Sequence, residues 1–336
     1  MSAAPPRLVP VFVVVPPRTL LLDVAGPVEV LRGVNLAQPA VRFEVSYVGP
    51  RAAVRSSVGL SVAGIAPLPE ALPAQALVTV AGAVDRPLGD AGADDANEAD
   101  DAADEDAIVA WLRRAVRPGM RLLTICSGAL LAGRAGLLDG RECTTHHASI
   151  EELRRLAPAA RVRDNRLFVD DGDRLTSAGV TAGIDMMLHL AAGEAGHAAV
   201  VAAARQLVVY ARRGGDDPQL SPWLEGRNHL HPALHRAQDA VAADPARAWS
   251  LQALAQAAAT SPRHLSRLFR RHAGLGAADY VNRMRVALAR ELVLGSQLDL
   301  DSVAERVGFA SARQLRRAWG RLHDAPPSQA RAAARR

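Results

Sequence analysis

The sequence predicts two domains of different class, an α/β domain followed by an all-α domain. Three observations carry that expectation. Over residues 8–200, short β-branched runs alternate with helical patterns, the signature of βαβ units around a parallel sheet. Residues 232–330 are almost purely helical in pattern and contain a near-repeat about 49–50 residues apart. The charge also changes sign along the chain. Residues 229–336 hold 17 arginines against eight acids, whereas residues 1–228 hold 23 arginines against 27 acids. The net charge of +5 therefore hides a strongly basic third joined to a mildly acidic remainder.

Taken in order, VPVFVVV (residues 9–15) reads as a buried first strand rather than a secretory leader, because it is short and lacks a basic start. Asp23 to Val34 reads as a helix, with Pro27 in its first turn. Val41–Gly49 alternates at period two, and Ala76–Gly82 is an apolar run ending in glycine. Ile108–Val116 reads as a helix and Arg121–Cys126 as a further strand. Leu167–Val169 and Arg174–Thr176 flank Asp170-Asp171-Gly172-Asp173 as a hairpin, and Thr181–Ala192 returns to helix. Gly89–Asp106, almost all Ala, Gly, Asn and acid, reads as a solvated surface insertion at 89–106. The Gly-, Pro- and charge-rich residues 212–228 read as a linker between a domain at 8–205 and one at 229–331.

The 336 residues are 49% hydrophobic, which excludes a wholly disordered chain. Lysine is absent, so all 40 basic side chains are arginine. Two cysteines, Cys126 and Cys143, are too few for a disulfide framework, and a reducing cytoplasm is the expected setting. No uninterrupted apolar run approaches the roughly 18 residues of a membrane span.

In the basic third, LAQAAATSPRHLSRLFRR (Leu254–Arg271) parallels VAERVGFASARQLRRAWGR (Val303–Arg321), the second copy having one extra residue in its turn. In the first copy Leu251, Leu254, Ala255 and Ala258 give a short helix an apolar face. Ser261 suits an N-cap, and Pro262 suits the first helical position. The helix that follows turns Leu265, Leu268 and Phe269 inward. It leaves Arg263, Ser266, Arg267 and Arg270 outside, with the arginines at i, i+4 and i+7 on one stripe. In the second copy Ser311 caps, Leu315, Ala318, Trp319 and Leu322 point inward, and Arg313, Arg316, Arg317 and Arg321 remain outside. Two short helices with a tight turn, the second bearing arginine, make a helix-turn-helix. Val281, Met284, Leu288 and Leu292 mark the core face of a connecting helix. His229, His231 and His235 lie close in sequence but lack a companion Cys or carboxylate cluster, so no metal or other cofactor is expected.

Residues 232–330 resemble the AraC/XylS DNA-binding domain through SPRHLSRLFRR, YVNRMRVALARELV, VAERVGFASARQLRRAWGR and the final APPSQAR. The resemblance implies two recognition helices in successive major grooves, about 34 Å apart. It places base-edge contacts on Arg263, Ser266 and Arg267 and on Ala312, Arg313, Arg316 and Arg317, with Ala312 limited to apolar contact such as a thymine methyl.

Residues 8–200 resemble the ThiJ/PfpI superfamily, whose fold is flavodoxin-like and class I glutamine amidotransferase-like. The likeness is closer to the sensor half of GlxA-type AraC regulators. It rests on LLDVAGPVEVL, VRSSVGLSV, CSGALLAGRAGLLDGRECTTHH and TSAGVTAGIDMML. Cys126 ends an apolar strand just before a helical run, an elbow-like placement that favours thiolate. The resemblance implies a small-molecule pocket with Asp23, Gly82, Cys126, Ser127, His146 and His147 as candidates, and a nitrogen-containing metabolite as the effector class. It further implies a homodimer that binds promoter DNA, meets RNA polymerase and leans towards activation. Isocyanide hydratases share these N-terminal motifs, so a Cys126-dependent enzyme fused to a DNA-binding domain is the alternative. Ser127 follows the cysteine where PfpI-type hydrolases carry His, Ala83 stands where the enzymes usually have a second Gly, and His147 stands where the hydratases usually have Trp. No catalytic residue is therefore assigned.

Overall fold

A computed structural model describes residues 5–85, 88, 95–209, 213–217, 219, 227, 229–323 and 325–334. The chain divides into two compact units, Met1–Gln219 and Leu220–Arg336.

The first unit is a three-layer α/β/α sandwich. Its elements run β1 (Arg7–Val14), α1 (Leu21–Ala37), β2 (Val41–Gly49), β3 (Ala53–Arg55), β4 (Ser61–Ala63), β5 (Ala66–Pro67), β6 (Leu77–Val80), α2 (Asp95–Ala115), β7 (Arg121–Ile125) and α3 (Gly128–Arg134). They continue with β8 (Glu142–Cys143), α4 (Ile150–Leu156), β9 (Arg161–Val162), β10 (Phe168–Asp170), β11 (Arg174–Ser177), α5 (Thr181–Ala195) and α6 (His197–Gln206). The main sheet has the order β10-β11-β7-β6-β1-β2-β5 and is parallel except for the β10–β11 hairpin. β3 pairs with β4 and β8 with β9 as separate two-stranded sheets.

Strand alternation sorts the core into two layers. Val9, Val11 and Val13 face a cluster with Val30, Leu31 and Val34 of α1 and Met186, Leu190 and Val200 of α5 and α6. Val14, Val78 and Leu122 face the other cluster, with Ile108, Trp111 and Leu112 of α2 and Leu131 and Leu153 of α3 and α4. Both faces are covered, which is why the strands read as continuous apolar runs.

Residues 89–94 of the acidic stretch lie outside the described residues; from Asp95 onward it is the first half of α2, with Asp100 and Asp106 exposed. Asp101 is buried there, 3.0 Å from Arg18 Nε and 3.3 Å from Arg51 Nη2, while Asp104 pairs with the same Arg51. An Ala-rich stretch is a good helix former, and the arginines that receive its acids come from distant loops. The linker expected at 212–228 falls largely outside the described residues. Within it, Arg213 bonds Asp185 and the Thr181 hydroxyl, and the Gln219 amide donates to the Thr145 and Arg166 carbonyls.

The second unit contains, among its described residues, α7 (Pro232–Ala243), α8 (Leu251–Ala257), α9 (Pro262–Leu268), α10 (Ala277–Gly295), α11 (Leu300–Arg306), α12 (Ala312–Trp319) and α13 (Pro327–Ala334). A π-helical turn, Phe269–Ala273, extends α9. The unit has two small cores. Leu254, Leu265, Phe269 and Tyr280 build the first around α8 and α9. Val303, Leu315, Trp319 and Val293 build the second around α11 and α12. α10 runs through both, giving Val281 and Met284 to the first and Val286 and Ala289 to the second.

Candidate functional site

The two helix-turn-helix copies are built alike. Ser261 Oγ accepts the His264 N–H at 3.2 Å, and Ser311 Oγ accepts the Gln314 N–H at 3.3 Å, so each recognition helix is capped by its serine. Leu265 and Leu315 are fully buried, and Phe269 and Trp319 occupy matching core positions. The outward residues divide cleanly. Arg263, Arg267 and Arg270 are exposed and Ser266 is half-buried, and together with Arg271 they line an open groove of about 570 Å³. On α12, Arg313, Arg316 and Arg317 are exposed, as is Arg321 just beyond it.

Three expectations need correction. Ala312 is 3% exposed and its N–H donates to Asp301 Oδ1 at 3.3 Å, so it faces α11 and cannot touch a thymine methyl. Leu322 is 38% exposed rather than inward, because the chain leaves helical geometry after Trp319. Leu251 is likewise exposed, on the rim of the Arg263 groove. Two residues escaped the sequence reading. Arg271 joins the groove because the π-turn rotates it there. Gln314 is exposed on α12 between Arg313 and Arg316, and its Oε1 accepts the Ala310 N–H at 3.3 Å.

In the α/β unit, Cys126 is the strained residue between β7 and α3, with φ +55°. Its N–H donates to Ser177 O, and its carbonyl accepts from the Thr145 hydroxyl at 2.7 Å. Asp23, in the first turn of α1, lies against it. Asp23 Oδ2 accepts the Gly82 N–H at 3.2 Å, and Oδ1 accepts the Val180 N–H at 2.6 Å. Val180 is itself strained, at φ +52°, an outlier for a β-branched residue. Gly82 and Gly179 close the walls. A Cβ on Gly82 would lie 2.6 Å from Asp23 Oδ2 and 2.8 Å from Cys126 Cβ, and one on Gly179 would overlap Cys126. Ser127 Oγ accepts the Ala83 N–H at 2.9 Å and lies 3.1 Å from the Ala83 carbonyl.

The structure thus brings Asp23, Gly82, Cys126 and Ser127 together. The His146 and His147 rings, which follow Thr145, lie 4.1 Å apart and tilted by 43°. The cavity bordering Ser127, lined also by Ala83, Glu105, Leu130 and Arg134, measures about 90 Å³ and includes neither histidine nor Cys126.

The elbow does not produce a thiolate, contrary to the sequence reading. Burial pushes the Cys126 thiol up to about 12, and the Asp23 carboxylate adds to the rise; the Ser127 N–H opposes it too weakly to matter. Burial likewise raises Asp23 to about 6 against the opposing N–H bonds from Val180 and Gly82. Three further backbone donors are occupied, with Gly82 and Val180 bonded to Asp23 and Ala83 to Ser127. An oxyanion forming at Cys126 would find none of these three N–H groups free.

A model of the DJ-1/PfpI family matches residues 10–193, and a helix-turn-helix domain model matches residues 254–333. The chain is 32% identical over 324 residues to the HTH-type transcriptional regulator GlxA of Rhizobium meliloti, covering 93% of this chain and 92% of that protein. It is 31% identical over 224 residues to the regulator GbdR of Pseudomonas aeruginosa, covering 66% of this chain and 60% of that one. Isonitrile hydratase of Pseudomonas putida is 40% identical over 81 residues, 24% of this chain and 34% of the hydratase. An α/β sensor-type fold followed by a double helix-turn-helix defines a class, the DNA-binding transcription regulators. Within that class the chain belongs to the GlxA-type AraC/XylS family, which joins a DJ-1/PfpI domain to an AraC-type DNA-binding domain. Among the described residues no helix is long and apolar enough to cross a membrane.

Proposed function

We propose that this regulator reads promoter DNA with α9 and α12 and is controlled by a small effector at the Asp23–Cys126 cleft. The observation that carries the DNA reading is the duplicated serine-capped helix, each copy holding its aromatic inward and its arginines outward. Arg263, Ser266, Arg267 and Arg270 on one helix, and Arg313, Arg316, Arg317 and Arg321 on or after the other, are the proposed contacts. Arginine forks favour guanine O6 and N7, so the half-sites should contain G. A homodimer in the cytoplasm, acting with RNA polymerase and biased towards activation, is the working arrangement.

Support for effector binding is the concentration of strain at Cys126 and Val180 around one buried carboxylate. Asp23 is fully buried and Cys126 is 7% exposed, so a ligand that reaches them must open the cleft. That opening is the differential interaction a conformational signal needs. The enzyme reading is the weaker one, because burial holds the thiol protonated and the Gly82 and Ala83 N–H groups are taken.

Genome-wide footprinting of the chain in its host tests the proposal. Discrete G-containing sites upstream of genes for the metabolism of nitrogen compounds are the expected result. Uniform, sequence-independent occupancy would reject it.

A further inference from the structure

His264 stands in the first turn of α9, three residues before Arg267 and on the same side of the helix. It is half-buried, its own N–H is fixed by the Ser261 cap, and its ring lies 5.9 Å from that of His231. Arg267, exposed in the wall of the groove, donates from Nη2 to His264 Nδ1 at 2.8 Å. A guanidinium only donates, so Nδ1 is the acceptor and the neutral ring carries its proton on Nε2.

The second copy is built differently at this point. SPRHLSR (261–267) and SARQLRR (311–317) match position for position, with Gln314 in the place of His264 and Arg317 in that of Arg267. The turns before them differ by one residue. The Thr260 N–H donates to the Ala255 carbonyl at 3.0 Å, and the Phe309 N–H makes the matching bond to Ala304 at 2.8 Å. Ala310 is then the extra residue, and its N–H is the one that Gln314 Oε1 takes. Gln314 is thereby turned back to its turn. His264 has no such extra N–H to satisfy and is turned forward to Arg267.

We propose that His264 is a positioning residue for base reading: it presets the Arg267 guanidinium, so that the first recognition helix discriminates guanine more sharply than the second. A long arginine side chain gives up rotamer freedom when a base fixes it, and a bond that already holds it removes part of that cost. A guanidinium with one N–H spent on His264 still presents a pair of donors to guanine O6 and N7. His264 touches no base in this role and acts through Arg267. The inference rests on the proposal that α9 reads DNA.

The test selects sites from a library of random duplex DNA with the purified full-length chain. Arg267→Ala identifies the guanine that Arg267 reads, as the position whose preference that variant loses. His264→Phe keeps a ring and drops the acceptor, His264→Leu drops both, and His264→Asn keeps an acceptor where Nδ1 stands. His264→Phe and His264→Leu are each expected to cut the preference for that guanine about three- to tenfold, with the half-site of α12 and the salt slope unchanged. His264→Asn should restore the wild-type preference, and His264→Phe should add nothing in an Arg267→Ala background. Circular dichroism identifies a variant that unfolds, and the other removal then decides. Wild-type guanine preference in the folded removal variants, or a loss that His264→Asn does not restore, overturns the inference alone. A wild-type chain that selects no site overturns the DNA reading and this inference with it.

Discussion

Asp23 is the most heavily constrained side chain of the α/β unit: it is fully buried, accepts two backbone N–H bonds and abuts the Cys126 thiol. Its carboxyl rises from 3.8 to about 6 because burial outweighs those bonds. The folded chain therefore holds this proton more tightly than the unfolded chain. The stability Asp23 contributes is fully present below about pH 4 and is lost as the pH rises towards 6, a span of about 3 kcal/mol. Asp23→Asn removes the titration. Its urea midpoint relative to wild type should climb between pH 5 and pH 7.5, by about 1 kcal/mol of stability; a pH-independent difference would show that Asp23 ionises as an ordinary carboxylate. The neighbouring thiol gives a second check. Cys126 is 7% exposed and protonated at neutral pH. Brief iodoacetamide at pH 7.5 should leave it unlabelled in the native chain and label it after denaturation, as read by mass spectrometry. Equal labelling in both states would mean an open, activated thiol.

At the scale of elements, the two helix-turn-helix copies offer an internal comparison. The turn after α8 places Ala259 at φ +48°, and the turn after α11 places Gly308 at φ +85° in the equivalent position. A left-handed residue costs an L side chain about 1–2 kcal/mol and glycine almost nothing. Ala259→Gly should stabilise the second unit by about 1 kcal/mol. Gly308→Ala should destabilise it by more, because the added Cβ would also run into the Ala246 carbonyl. Thermal melts of the two variants moving in the same direction would contradict this reading. In the α/β unit, Arg213 ties the chain beyond α6 to Asp185, whose side chain is 4% exposed. Arg213→Ala leaves that carboxylate buried without its ion-pair partner and should cost about 1–3 kcal/mol, seen as a lower melting temperature. The alternation of strand and helix, the serine caps and the repeat were all legible in the sequence, because each is a local pattern. What stayed hidden depended on distant partners. The burial of Asp101 was not legible because its partners Arg18 and Arg51 lie 83 and 50 positions earlier. Ala312 looked like a base contact because only the fold shows its N–H turned to Asp301.

Across the whole molecule, an acidic α/β unit is covalently joined to a basic helical one, and eight of the second unit's arginines stand on or just after α9 and α12. The abundance of arginine carries little weight, since it is the sole basic residue of both halves. Its placement outside two duplicated cores carries more. Of the six candidate pocket residues, Asp23, Gly82, Cys126 and Ser127 meet in space, while His146 and His147 are absent from the lining of the cavity beside Ser127. The electrostatics of the cleft were not legible, because an elbow motif does not reveal how thoroughly glycine walls and a carboxylate exclude water from the thiol. The most direct test of the central claim is fluorescence anisotropy on a footprinted promoter fragment at several salt concentrations. Arg267→Ala and Arg317→Ala should each weaken binding about 5–150-fold, and Cys126→Ala should bind as wild type without effector. Wild-type affinity and salt slope in both arginine variants would contradict the assignment of α9 and α12 as the reading helices.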